Sequence, residues 1–402
     1  MKNISRKIIL KLLALNAAQK SLYLNTGVNL AGYIHAEMGL GHGCRLLAQA
    51  LEISGIPWAA IDYGQLNTAR NQDSTWSHKV SANIKYNVNI IHINPDNLFR
   101  AAINLPKNIW RAPYNIAFFL WELTEVPDKW AEWFEFFDEI WTPSNFSAEA
   151  FRKKTKKPVI KIPYGISVEH NAHIQYNRAH FKLPEDTFLF LTMYDFNSTA
   201  ARKNPKGAVD AFIKAFAPPA NNVGLVVKIS NAPAQGAKEL VLFKESLAEY
   251  KNVFFFENTL SKAEVNSLLY CVDCFVSLHR SEGFGLVLAE AMYLKKPVIG
   301  TNWSANVDFM HEHNSCPVNY TFATIEEDHG PYRAGLYWAE PDINHAAFYM
   351  KKLCEDKQYY NEIAENGWQT IKNNFSHEAC ATNIKNRLTE LNLLLAELNL
   401  LK

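Results

Sequence analysis

No run in this chain approaches the eighteen or more consecutive apolar residues of a membrane-spanning helix, so no segment reads as a span. Ile8-Ile9-Leu10 and Leu12-Leu13-Ala14-Leu15 resemble the apolar core of a secretory signal, but Lys11 interrupts them and no small-residue cleavage site follows. Cysteine is scarce and scattered. Of the six, Cys271 and Cys274 lie together in an apolar stretch with no second pair to complete a zinc site, which excludes that class. The thiols read as reduced core residues of a cytoplasmic protein. Surplus charge is also missing: a formal net charge of +1 gives no general attraction to nucleic acid. No short-period repeat or low-complexity segment is present, which argues against a solenoid.

What is present describes a soluble globular protein, 48% apolar and 20% charged, whose 402 residues suit two domains. Charge is uneven at the start, where Lys2, Arg6, Lys7, Lys11 and Lys20 precede the first acid, Glu37. That segment reads either as a basic amphipathic helix on an anionic membrane surface or as an ordinary surface helix or disordered start. Apolar runs of five to seven residues alternate with helical patterns almost throughout, which predicts parallel sheets covered by helices. Residues 28–34, 58–63, 88–93, 116–121, 139–142 and 159–163 are the expected strands of a first unit. After a polar stretch, 187–193, 223–229, 253–257, 272–278 and 297–300 supply a second. Such sheets bind ligands in the crevice outside their strand ends. Helical patterns at 344–353, 358–373 and 377–400 close the chain, with Leu391, Leu393, Leu394, Leu395 and Leu398 near its end.

The most informative segment is Ser281 to Glu290, SEGFGLVLAE. A strand leads in, a Gly-Phe-Gly turn follows Glu282, and a helix is expected from Leu286. The first N–H groups of that helix lack intrahelical partners and its dipole is positive there, which favours an anion such as diphosphate. Glu290 lies two turns on, about 11 Å along the axis at ~1.5 Å per residue, so an elongated ligand can meet both acids. A second element, Ala201-Arg202-Lys203-Asn204-Pro205-Lys206-Gly207, follows the first strand of the second unit. Cations placed there stabilise the charge that builds on a departing phosphate. Glu37-Met38-Gly39-Leu40-Gly41-His42-Gly43, after the first strand of the first unit and before a helix expected from Arg45, lets backbone approach a phosphate or sugar. Two further acid–base candidates end apolar strands, Glu122 and His92. Ser144 reads as a helix N-cap, and Lys153, Lys154, Lys156 and Lys157 form a basic loop.

SEGFGLVLAEAMYLKKPVIGT resembles the donor-binding segment of retaining, family 4-like (group 1) nucleotide-sugar glycosyltransferases, whose signature is a Glu, seven residues and a second Glu. The resemblance spans residues 28 to 373. It implies an α/β chain of the GT-B fold: two Rossmann-like, doubly wound parallel-sheet domains facing a cleft. Residues 1–175 would form the acceptor side and 176–373 the donor domain, with a C-terminal helix in 374–402 packing back on the first. It implies that Glu282 contacts donor-sugar hydroxyls, that Gly283, Phe284, Gly285 and Leu286 donate backbone N–H groups, and that Glu290 holds the ribose. Arg202 and Lys203 would bind the diphosphate, although the family spaces this pair by several residues and here they are adjacent. Gly41 and Gly43 would line the cleft, His279 and Arg280 would lie near the donor, and Thr301 to Ser304 could touch its sugar. The family tends to carry a catalytic His after a first-domain strand. Here Trp121-Glu122 stands in that place, leaving Glu122 or His92 to orient the acceptor.

The function implied is transfer of a sugar from a nucleotide-diphosphate sugar to a saccharide or lipid-linked glycan, with retention, in bacterial surface polysaccharide or glycoconjugate synthesis. No cofactor beyond the substrate and no metal is expected, and no Asp-x-Asp triplet occurs. The basic N-terminus suggests peripheral contact with the inner face of the cytoplasmic membrane. The rivals are another enzyme of this fold, such as a nucleotide-sugar epimerase, and a non-catalytic sugar- or nucleotide-binding subunit.

Overall fold

Each apolar run of the sequence becomes a strand in one of two six-stranded sheets whose strands all run parallel. This is a computed structural model that describes residues 20, 24–64, 69–169, 176–196, 198–231 and 238–393. The basic residues Lys2, Arg6, Lys7 and Lys11 and the leucines beyond residue 393 lie outside them. Two compact units result: 1–165 with 375–402, and 166–374.

The first unit contains β1 (Asn25–Gly32), α1 (Gly39–Ser54), β2 (Trp58–Asp62), β3 (Tyr86–His92), α2 (Pro95–Asn104), β4 (Tyr114–Phe118), α3 (Ala131–Phe134), β5 (Glu139–Thr142), α4 (Asn145–Arg152) and β6 (Val159–Lys161). Its sheet order is β2-β1-β3-β4-β5-β6. Three buried asparagines occupy one register line across it. Asn29 on β1 donates to Asn89 on β3 (2.9 Å), which donates to Asn115 on β4 (2.8 Å). A one-residue slip would strand all three amides in the core, so the ladder fixes strand register. Ser144 is the N-cap of α4, its hydroxyl accepting from the Ser147 N–H. Lys20 donates to the Pro113 carbonyl (2.8 Å) and pairs with Asp138. In the basic loop, Lys153 caps the Thr124 carbonyl, Lys154 pairs with Asp128 and Lys157 donates to Phe137.

The second unit contains β7 (Phe188–Asp195), α5 (Ala200–Lys203), α6 (Pro205–Ala215), β8 (Val223–Ser230), α7 (Lys238–Ser246), β9 (Val253–Phe256), α8 (Lys262–Cys271), β10 (Cys274–Ser277), α9 (Leu286–Tyr293), β11 (Val298–Thr301) and β12 (Cys316–Val318). An antiparallel pair, β13 (Tyr320–Thr324) and β14 (Tyr337–Pro341), and the helices α10 (Ile343–Glu355) and α11 (Lys357–Asn374) follow. The sheet order is β12-β11-β10-β7-β8-β9. Phe190, Val227 and Val276 on one face of the sheet pack with Phe212 of α6 and Met350 of α10 in its core.

The final helix, α12 (His377–Glu390), returns to the first unit and packs on α1. It ends ten residues short of the 377–400 expected from sequence: Leu391 caps it and Asn392 turns into the left-handed region at φ 54°. Two fastenings hold it. Arg387 reaches the buried carboxylate of Glu139 on β5, and the backbone of His377 lies so close to Gly165 that a Cβ there would stand 2.6 Å from it. All six cysteines are free thiols. Among the described residues no helix is long and apolar enough to cross a membrane.

Candidate functional site

The site in the second unit grows from connections that leave the C-terminal ends of its parallel strands, the edge where doubly wound sheets bind ligands. After β7 the chain makes the single turn α5, and Asn204 closes it in the left-handed region (φ 47°). The Asn204 side chain caps α6 through the Gly207 N–H and donates to the Leu278 carbonyl (2.9 Å), pinning the cationic turn to the end of β10. The backbone adds a second pin, since Arg280 N–H donates to the Arg202 carbonyl (2.7 Å).

After β10 the chain runs through Ser281-Glu282-Gly283-Phe284 to Gly285, whose φ of 95° lies in the left-handed region that favours glycine before α9. Phe284 turns inward against Phe309, so only its backbone belongs to a ligand surface. The Glu282 N–H donates to Ser304 Oγ (2.8 Å), and its carbonyl accepts from the Ala305 N–H. Ser304 itself has φ 75°, a costly conformation for a residue with a side chain.

These connections bring Glu282, Lys203 and Arg202 together. Lys203 Nζ bonds Glu282 Oε1, and Arg202 Nη1 lies 3.6 Å from Oε2 while donating to the Ser281 carbonyl at 2.6 Å. The adjacent cations therefore have different duties. Arg202 is buried beneath the Tyr332 ring and braces the turn, while Lys203 keeps a quarter of its side chain in solvent. Burial alone would raise the Glu282 carboxyl, but Lys203 and then Arg202 outweigh it and hold it down at about 2. It is a carboxylate at any physiological pH.

His279 is fully buried and occupied from both sides. Asn306 spends its amide hydrogens on the Thr301 carbonyl and Met310 Sδ, so its oxygen accepts from His279 Nε2 (3.0 Å), and Nδ1 accepts from the Ser277 hydroxyl (3.1 Å). This neutral tautomer agrees with a pKa pushed down to about 4, chiefly by burial. His279 thus supports the turn from within. Arg280 likewise faces the protein: it donates to the Ala201 carbonyl, forms a two-pronged pair with Glu340 on β14 and lies over the Trp338 ring. Thr301 and Ser304, read from sequence as sugar contacts, bond the His279 carbonyl and the Glu282 N–H.

A pH test follows from His279. The unfolded chain takes a proton near pH 6.5 that the folded unit refuses until about pH 4, so stability is full above 6.5 and falls as pH drops through that window. The loss approaches about 3 kcal/mol at ~1.4 kcal/mol per pH unit. Glu282, depressed from 4.5 to about 2, adds its own loss only below 4.5. Urea unfolding at pH 7.5 and 4.5 should show a loss about 2–3 kcal/mol smaller in His279→Gln than in wild type; equal losses would refute the assignment.

Residues 182–370 match the model of a family described as glycosyl transferases group 1. The second unit belongs to that family. No curated protein matches the chain at a comparable level. Among solved structures it is similar to Anabaena HepE in complex with UDP and glucose, at 14% identity and TM-score 0.64 over 91% of this chain and 100% of that one. Sucrose-phosphate synthase from Thermosynechococcus elongatus gives 14% and 0.64 over 91% and 99%, and a Rickettsia africae glycosyltransferase 13% and 0.64 over 92% and 100%. At these identities the likeness speaks for the fold. Two six-stranded parallel sheets flanked by helices, with the last helix returned to the first unit, are the GT-B architecture.

Outside the matched segment, the remaining candidates lie in the first unit. His92 is fully buried at the end of β3, stacked on Phe118, with Nε2 bonded to the Tyr164 hydroxyl at 2.7 Å; burial lowers its pKa to about 4. Glu122 is half-buried, four residues beyond the end of β4, because that strand stops at Phe118 rather than at residue 121. The glycine segment is not a loop before a helix but the first turn of α1. A Cβ at Gly41 would stand 2.0 Å from the Ala36 carbonyl, and one at Gly43 2.7 Å from Tyr164 Oη, so packing requires both. In the second unit, Glu290 is buried on α9 and pairs with Lys262 at the start of α8, a residue that no motif marked. Among the described residues no group of three or more His, Cys, Asp or Glu could hold a metal ion.

Proposed function

We propose that this chain is a retaining glycosyltransferase that moves a sugar from a nucleotide-diphosphate sugar to a saccharide or lipid-linked glycan. We place it in the cytoplasm, in the synthesis of a surface polysaccharide or glycoconjugate. One observation carries the reading: Lys203, partly exposed beside the buried carboxylate Glu282, at the helix-entry turn before α9. A diphosphate arriving there takes Lys203 as its counter-ion, and the Glu282 oxygen so released accepts from donor-sugar hydroxyls. Glu290 takes the ribose. HepE, one of the similar structures, was solved with UDP and with UDP-glucose, which supports a donor of this class.

In the reaction the bond from the anomeric carbon to the diphosphate oxygen breaks and its electron pair leaves with the diphosphate. The acceptor oxygen bonds the same face of the sugar, and the departing phosphate oxygen takes its proton, so no protein base is required. Lys203 gains most as that charge grows, which is selective stabilisation of the transition state. No resident metal enters this reading. The acceptor is assigned to the first unit, where Glu122 and His42 are partly exposed.

A thermal-shift panel of UDP-, GDP-, ADP- and dTDP-sugars tests the donor. At a hundred times its dissociation constant the right one adds ~2.7 kcal/mol, roughly 5–10 °C for a unit of this size. No shift with any of them would sink the donor site. The anomeric configuration of the product, read by NMR, tests retention.

A further inference from the structure

Glu290 is an acid in an apolar place. It lies on α9 among the buried residues Leu288, Ala289, Ala291 and Met292, and its side chain is 6% exposed. A carboxylate so placed costs desolvation that an apolar residue would not. Its partner, Lys262, is as oddly placed. It is the first residue of α8, whose N-terminus is already closed by the Ser261–Glu264 capping box, and a cation in a first helical turn opposes the helix dipole. Lys262 Nζ donates to Glu290 Oε1 at 2.8 Å, yet half of the lysine side chain (51%) remains in solvent. Neither charge is where folding alone favours it, and together they stand at the strand edge that carries Lys203 and Glu282. The two acids of the segment are treated alike: each is buried and held by a more exposed lysine from another connection.

We propose that Lys262 is a nucleoside-binding residue. Its ammonium aims Glu290 at the ribose 2′- and 3′-hydroxyls and donates one hydrogen to a ribose oxygen, so that Lys262 and Glu290 read the ribose as one unit. The proposal rests on the donor reading above and adds to it a residue that the signature does not contain.

Calorimetric titration of UDP, GDP and ADP, each against its 2′,3′-dideoxy form, tests it. For the nucleotide that binds wild type best, Lys262→Met is expected to weaken the ribose form about tenfold and the dideoxy form less than twofold. Lys262→Arg should recover most of the loss. Glu290→Gln should give a similar loss, and the double variant one no larger than the worse single, because residues acting as a unit are not additive. Lys262→Met binding like wild type, or weakening both forms equally, overturns the proposal. Wild type binding none of the three nucleotides is the failure of the donor reading itself, and Lys262 falls with it.

Discussion

Glu282→Gln is expected to lower kcat/KM for sugar transfer by about a thousandfold or more, some 4 kcal/mol of transition-state stabilisation, while nucleoside diphosphate binding is kept or tightened. The split follows from the ion triad. The amide fills the same space but cannot hold Lys203 as a counter-ion, so a diphosphate no longer competes for that ammonium. Lost instead is the carboxylate that, with Arg202, sets where Lys203 stands and that we propose takes the sugar hydroxyls. Initial rates with the donor from the thermal-shift panel, beside titration of the free diphosphate, measure both halves. Full turnover in the variant removes Glu282 from the mechanism. Equal loss of both binding and rate would instead indicate that the turn has come apart.

Arg387→Met carries the largest expected effect on stability. Glu139 has a side chain with no exposure at all, and Arg387, 19% exposed, is its ionic partner through Nη2 (2.5 Å) and Nε (3.2 Å). Trp141 Nε1 donates to the same carboxylate at 2.6 Å and the Tyr114 hydroxyl bonds it too, but neutral donors do not replace a cation. Removing one member of a buried pair costs about 3–5 kcal/mol because the other charge stays behind. Differential scanning calorimetry should show the transition of the first unit lowered by roughly 10 °C. Arg387→Lys, which keeps charge but loses the two-pronged geometry, should recover only part of this. A loss below about 1 kcal/mol would reduce the contact to an ordinary surface pair.

Most of the two sheets is legible in the sequence, because parallel strands buried on both faces are continuous apolar runs. What escapes the sequence is local. Short β12 carries only Cys316-Pro317-Val318, and β13 and β14 pair across a twelve-residue connection with no tight-turn dipeptide to announce a hairpin. That hairpin supplies Glu340 and Trp338, which hold Arg280, and without it Arg280 looks like a ligand contact. In the site, spacing alone can suggest Glu282 and Glu290, since both sit on one turn and helix. Their lysines lie 79 and 28 residues away in sequence, and only the order of strands in the sheet brings them in. Glycines are ambiguous for a related reason. Sequence shows that a Cβ is missing at Gly41 and Gly43 but not whether the space is filled by a ligand or by Tyr164 and a carbonyl.

The return of the last helix to the first unit sets a timetable for synthesis. Arg387 leaves the ribosome 248 residues after Glu139, the acid it neutralises, a wait of ~12–50 s at ~5–20 residues per second. Throughout that interval β5 carries an uncompensated carboxylate and α1 has no helix to cover it, while the whole 166–374 unit emerges and can close on its own. The part made first is therefore the part finished last, and a released chain truncated after residue 374 should present a finished second unit beside an open first one.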